Sequence, residues 1–268
     1  MKMKQCSLQA LEEYLHATFN WEVHDQALNG IQIANERGVS KLGVGVDFCD
    51  DLISAAEKAG CDALLVHHGL YWGRVEALVA RKYRLVKRMM ANDTALIALH
   101  LPLDLHPVLG NNIGLIEALD LVHSGNFGDY KGNAILFEAR IKRDSNRKSS
   151  NLEQKYASID FKDLCTRYKS RIGSPLMTLQ AHDRSVERIG ICSGGGLFGV
   201  DMAYQHGCDT YITGDANHIA YHQAKELPIN LICGGHYYTE TFGVNRLAAA
   251  LQKKFGLTYQ FFDLPTHL

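Results

Sequence analysis

The sequence predicts an α/β protein made of two related lobes, each a mainly parallel sheet flanked by helices. Three observations predict it. Short apolar runs with strand character alternate with helical patterns. A 28-residue stretch recurs later in the chain without a gap, and each copy leads to a third strand followed by a histidine and a carboxylate four residues apart.

Residues 7–19 predict an amphipathic helix capped by Ser7, with Glu12 and Glu13 in its early turns. Lys41–Val46 (KLGVGV) is apolar, partly β-branched and bounded by Asp47, the pattern of a buried strand. Asp50 or Asp51 then caps a helix to Ala59, with Gly60 as its stop. Asp62–Val66 (DALLV) is a second short strand delivering His67-His68-Gly69. Residues 81–92 read as a helix, and Thr94–Leu99 as a third strand ending at His100. A strand–helix–strand–helix–strand order implies parallel strands joined by helical crossovers.

Lys41–His68 can be laid on Arg188–Asp215 at a constant offset of 147 (188 − 41 and 215 − 68). Gly60-Cys61-Asp62 recurs as Gly207-Cys208-Asp209, Gly43 matches Gly190, and Ala56 matches Ala203. The strand Thr94–Leu99 leads to His100-Leu-Pro-Leu-Asp104, and Asn230–Cys233 leads to His236-Tyr-Tyr-Thr-Glu240. Here the offset is 136, so the first copy carries about eleven extra residues around Leu70–Ala80. The expected lobes are residues 1–127 and 128–268. Between the copies, Asn133–Ile141 predicts a strand, Arg143–Asn151 a basic polar loop and Phe161–Arg171 a helix. Leu257–Leu264 predicts a last strand that can pair in either lobe.

Composition narrows the function classes. The 268 residues are 46% hydrophobic and 21% charged, with a net charge of −1, ordinary for a globular protein and without a clear nucleic-acid-binding signal. The seven cysteines are scattered and form no C-x-x-C pair, which argues against a disulfide framework or a thiolate zinc ribbon. The N-terminal residues carry charges where a signal peptide needs an apolar stretch. No run approaches the roughly 18–20 apolar residues that span a bilayer. A cytoplasmic protein without membrane attachment is expected.

His67 and His68 close a buried strand at its carboxyl end, the edge where α/β sheets bind ligands. Neighbouring strand residues point to opposite faces, so the two imidazoles either serve different metals or flank one cleft. His236 and Glu240 have i,i+4 spacing, which on a helical turn places them on one face about 6 Å apart. Gly234 and Gly235 let the chain bend out of the strand before them. Pro102 puts His100 and Asp104 on a first turn or tight bend. Isolated pairs of this kind are usually surface links; the convergence of three at matching strand ends points to metal binding. Imidazole and carboxylate ligands without thiolate suit Zn, Fe, Mn, Co or Ni. A carboxylate able to bridge suggests two divalent ions roughly 3.5–4 Å apart that activate water, with Glu240 the candidate bridge. Ser193-Gly194-Gly195-Gly196, between a strand and a helix, offers an anion-binding nest or only a tight turn. Asp215, His218 and His222 form a further polar group. Asp215 stands in the place of His68, as support for a ligand or as a proton-transfer group.

Taken together, these segments resemble the Nif-three-like family, also known as GTP cyclohydrolase type-two homologues. The stretches that carry the resemblance are Asn29-Gly30-Ile31-Gln32, Val66-His67-His68-Gly69, His100 to Asp104 with Gly110-Asn111-Asn112, Ser193 to Gly196, Thr213-Gly214-Asp215, and Gly235-His236 with Glu240. The resemblance implies a duplicated α/β fold with a dinuclear metal cleft between the lobes, and a ring-like homohexamer. The metal ligands it implies are His67, His68, Asp104, His236 and Glu240, with His100 a nearby helper; His100, Asp215 and His222 are the candidate catalytic groups. The expected function is a dinuclear metal-dependent hydrolase acting on a nucleotide or related heterocycle, such as GTP ring opening with formate release. The alternatives are a metal-binding assembly or regulatory interaction protein without catalysis, and a purely structural metal site.

Overall fold

Ser7 caps the first helix, its Oγ accepting a hydrogen bond from the Ala10 amide at 3.2 Å. The computed structural model describes residues 5–143 and 156–268; the expected loop Arg143–Asn151 lies outside these apart from Arg143. The elements run α1 (Leu8–Thr18), β1 (Gly30–Ile33), β2 (Lys41–Asp47), α2 (Asp50–Ala59), β3 (Ala63–His68), α3 (Ala80–Ala91), β4 (Ala95–Ala98) and the single turn α4 (Leu101–Asp104). There follow α5 (Asn111–Ala118), β5 (Leu121–Tyr130), β6 (Asn133–Ile141), α6 (Phe161–Arg171), β7 (Met177–Leu179) and β8 (Arg188–Cys192). A 3-10 turn (Gly196–Phe198) leads to α7 (Gly199–Gln205), β9 (Thr210–Thr213), α8 (His218–Glu226), β10 (Asn230–Cys233) and α9 (His236–Thr239). The chain closes with α10 (Thr241–Phe255) and β11 (Thr258–Phe261).

Two units result: Met1–Gly110 with Thr241–Pro265, and Asn111–Glu240 with Thr266–Leu268. A boundary between residues 127 and 128 would fall inside β5. In the first unit the sheet order is β1-β4-β3-β2-β11, all parallel except β1. The last strand therefore joins the first sheet, alongside β2. Strand residues alternate between two helix-covered faces. Ala63, Leu65, Ala95 and Ile97 pack with α1 and α10, whereas Leu64, Val66 and Leu96 pack with α2 and α3. In the second unit the order is β5-β6-β8-β9-β10-β7: β8, β9 and β10 are parallel, and the antiparallel strands β6 and β7 flank them.

Four of the five identities of the repeat have matching physical roles. Gly60 and Gly207 end their helices with φ of 67° and 81°. Asp62 Oδ2 accepts from the Ser40 and Lys41 amides at 2.9 and 3.0 Å. Asp209 Oδ2 accepts from the equivalent Glu187 and Arg188 amides, both at 2.8 Å. A Cβ on Gly43 would come within 3.2 Å of Ala56 Cβ, and one on Gly190 within 3.1 Å of Ala203 Cβ, so glycine and alanine set the close approach of helix to strand in both units. The duplication also extends beyond the matched stretch. Helix α6 stands to the second sheet order as α1 does to the first, and β7 lies antiparallel to β10 as β1 does to β4.

One expectation is corrected. Cys49, not Asp50 or Asp51, occupies the cap of α2 and makes no side-chain cap bond; the two aspartates lie in the first turn, where their charge favours the helix dipole.

The second sheet also carries a charge cluster. Glu138 on β6 is buried and accepts from Arg140 Nε (2.8 Å), Arg188 Nη2 (2.5 Å), Ser124 Oγ (2.8 Å) and His206 Nε2 (2.9 Å). Burial raises its pKa, but these partners outweigh burial and hold it at about 2.

Candidate functional site

Strand β3 runs through His68, so both histidines belong to the strand itself. His67 is fully buried and its Nδ1 donates to the Leu99 carbonyl at 2.8 Å. His68 Nδ1 donates to Asp47 Oδ1, also at 2.8 Å, across the β2–β3 register that pairs these two residues. The expectation of opposite faces gives way at the strand end, where the two rings lie 4.6 Å apart between centroids. His100 follows β4, and its ring lies 5.1 and 5.6 Å from those of His67 and His68. One ligand atom from each of the three lies within 4.8 Å of the others.

His100 is held by residues that local pattern does not reveal. Its Nδ1 donates to Asp25 Oδ1 at 2.8 Å and its amide to Asn29 Oδ1 at 2.7 Å. Asp25 Oδ2 accepts from the Leu101 amide at 3.0 Å. Burial would raise the Asp25 pKa, but the His100, Asn29 and Ala27 bonds prevail and hold it well below the carboxylate range. Pro102 sits in the first turn of α4, which carries buried Asp104 to 3.4 Å from His67 Nε2.

In the second unit, Gly235 (φ 94°) turns the chain out of β10 into α9. The one-turn helix brings His236 Nε2 to 3.2 Å from Glu240 Oε2, as the i,i+4 spacing predicts. His236 Nδ1 donates to Asp215 Oδ1 at 2.8 Å, so Asp215 lies against the far side of the His236 ring from Glu240. Burial lowers the His236 pKa, but Asp215 and Glu240 together push it up to about 10.

The Ser193–Gly196 turn serves these residues differently from an anion nest. The Ser193 amide donates to Asn112 Oδ1 (2.8 Å) and the Gly194 amide to Thr239 Oγ1 (2.9 Å), so both are committed inside the protein. Gly194 (φ 60°) is needed for clearance: a Cβ there would overlap Glu240 Oε1 and come within 3.0 Å of His236 Nε2. His218 and His222 lie exposed on α8, their rings 4.8 Å apart, and the His222 ring also packs edge-on to Tyr221. Asp25, Asp47 and Thr239 are supporting residues that sequence reasoning missed, and Asn112, singled out there only within Gly110-Asn111-Asn112, had no role assigned to it. Asp47 had a local signal, its place at the end of the strand before β3.

The donor chemistry fits a divalent metal. In all four histidines Nδ1 is committed to a carbonyl or carboxylate, which leaves Nε2 as the atom that can hold a metal. In His67–Asp104 and His236–Glu240 that Nε2 lies 3.2–3.4 Å from a carboxylate oxygen. Each such pair suits a shared cation: a proton, as the raised pKa of His236 reflects, or a metal ion.

These features define a class: a duplicated α/β protein with an imidazole–carboxylate donor set in each unit. The chain belongs to the Duf34/NIF3 (NGG1p interacting factor 3) family, whose model matches residues 5–267. It is 36% identical over 262 residues to the GTP cyclohydrolase 1 type 2 homolog of Treponema pallidum (strain Nichols), covering 90% of this chain and 92% of that protein. The homolog of the same name from Deinococcus radiodurans is 34% identical over 244 residues, covering 91% and 88%. Among solved structures, protein ybgI, of unknown function, has a TM-score of 0.86 at 28% identity, covering 98% of this chain and 100% of that one. A Thermus thermophilus protein has a TM-score of 0.83 at 30% identity, with the same coverage. Among the described residues, no helix is long and apolar enough to cross a membrane.

Proposed function

We propose that the chain is a metal-dependent hydrolase acting on a nucleotide or related heterocycle, with two divalent ions held by His67, His68, Asp104, His236 and Glu240. The observation that carries this reading is the placement of a histidine Nε2 3.2–3.4 Å from a buried carboxylate oxygen in each pair, with Nδ1 already committed to a supporting acceptor. When bound, such ions would supply Lewis acidity and lower the pKa of a water. The chain's own residues hold and orient: Asp47, Asp215 and the Leu99 carbonyl fix the ring planes, and Asp25 fixes His100 beside them as a proton-transfer group. The relatives' name, GTP cyclohydrolase 1 type 2 homolog, favours GTP as the substrate, and the family resemblance favours ring opening with release of formate as the reaction. A homohexamer is the assembly the family resemblance favours. The scattered cysteines without a C-x-x-C pair favour a cytoplasmic setting.

Metal content per chain by plasma mass spectrometry, on wild type and Glu240→Ala purified without added metal, tests the centre. Close to two ions, falling sharply in the variant, is expected. Wild type that holds none and takes up no added Zn²⁺, Mn²⁺ or Fe²⁺ refutes it. Formate released from GTP by the metal-loaded protein, and lost in His67→Ala, tests the reaction. Full metal without formate moves the reading to the interaction role that the family description names.

A further inference from the structure

Trp72 lies in the Leu70–Ala80 stretch that the first unit has and the second lacks. Its main chain bridges to Ala27, and the Leu28 amide donates to the Tyr71 carbonyl at 3.0 Å. The segment that pins it is therefore the one whose Asp25 and Asn29 hold His100. The indole Nε1 donates to the Gly69 carbonyl at 3.1 Å, directly after His67 and His68. The indole is thus fixed at both ends. Its ring centroid is 5.0 Å from that of His100, edge-on at 75°, and 5.7 Å from that of His68. Even so the residue is 37% exposed.

A tryptophan that only supported the imidazoles would be covered by other side chains. This one has its polar atom satisfied and its backbone tied, and it keeps apolar ring surface in water beside the donor cluster. Ring surface of that kind gains most from a flat aromatic partner: stacking on a base uses the π-face, whereas phosphate or sugar does not. The ring is also pre-positioned, so little side-chain entropy is lost on stacking.

We propose that Trp72 is the stacking platform for the planar heterocycle of the substrate, a purine-type base, and so the residue that selects a nucleotide over a simple phosphate. This rests on the hydrolase reading above. It assigns to the extra segment of the first unit a binding role that the duplicated core lacks.

The test is calorimetric binding of GTP, guanosine and inorganic triphosphate to metal-loaded wild type, Trp72→Leu and Trp72→Phe, with metal content measured on each preparation. Guanosine quenching of Trp72 emission is read in a Trp21→Phe background. Trp72→Leu is expected to bind GTP and guanosine about tenfold or more weakly, the size of effect seen when a base-stacking aromatic is truncated. Trp72→Phe should recover most of that loss, while triphosphate affinity and metal content stay at wild-type values. Guanosine and GTP binding unchanged in Trp72→Leu would overturn the proposal. So would parallel loss of triphosphate or metal, which would make the indole a support for the histidines. Wild type that holds its metal but binds neither purine probe overturns it too. Wild type without metal defeats the hydrolase reading instead, and guanosine binding to Trp72 still decides the platform separately.

Discussion

Gly194→Ala separates backbone strain from the clearance required around Glu240. Gly194 has φ of +60°, and Gly256, after α10, has +73°. A left-handed conformation costs a non-glycine residue about 1–2 kcal/mol, so both substitutions carry that cost. A Cβ at Gly256 meets nothing within 4 Å. At Gly194 it overlaps Glu240 Oε1, lies 2.8 Å from Glu240 Cδ and 3.0 Å from His236 Nε2. Glu240 is 3% exposed and close-packed, so the added methyl adds overpacking of about 1–3 kcal/mol. Gly194→Ala should therefore lose about 1–3 kcal/mol more than Gly256→Ala in urea unfolding of the metal-free protein. If Glu240 moves aside instead, the cost appears as weaker metal binding, about 10–100-fold, the range for displaced supports of metal ligands. Competition with a chromogenic chelator measures it, with Gly256→Ala at wild-type affinity. Equal stability loss in the two variants together with unchanged metal affinity for Gly194→Ala would refute the reasoning.

Three further outcomes follow from the same geometry. The folded pKa of Glu138, about 2, lies below its ordinary value of 4.5, so its stabilisation is present above about pH 4.5 and is lost as pH falls toward 2. Acid titration of unfolding should be flatter in this range for Glu138→Gln, which costs about 2–4 kcal/mol at pH 7 by leaving Arg188 and Arg140 unmatched. Tyr168 is fully buried on α6 with its hydroxyl unpartnered against Gly234. Tyr168→Phe should hold or gain up to about 1 kcal/mol in chemical denaturation, and a loss above that size would mean the hydroxyl has a hydrogen bond. Asp62→Ala and Asp209→Ala each remove an acceptor from two amides. Each should cost about 3 kcal/mol by urea unfolding, with Asp62 somewhat more because Arg37 lies 3.3 Å from it. A large cost at one and none at the other would deny the equivalence of the repeats.

Much of this protein is written locally. Helices α1 and α6, strands β2, β4 and β6, and the first half of each repeat follow from periodicity and caps, which depend only on neighbours within a few residues. The metal-donor candidates were legible for the same reason. His67 and His68 end a strand pattern, and His100–Asp104 and His236–Glu240 have the spacing of a single turn. The repeat showed because four of its five identical residues keep the same duty in both copies, and helix stops, side-chain clearance and amide acceptance tolerate few substitutes.

What tertiary structure alone decided is long-range. Asp25 holds a histidine 75 residues away, and Asn112 takes the Ser193 amide across 81. Nothing in the spacing of such pairs marks them, because a folded chain makes contacts that its linear order does not encode locally. The terminal strand's choice of β2, and the antiparallel β6 and β7 flanking the second parallel core, depend on which sheet edges lie open once the core has formed. The glycine turn at Ser193–Gly196 reads in the sequence as an anion nest or a tight turn, because glycine permits both. Only the position of Glu240 beside Gly194 shows that room for a carboxylate is what the glycine provides.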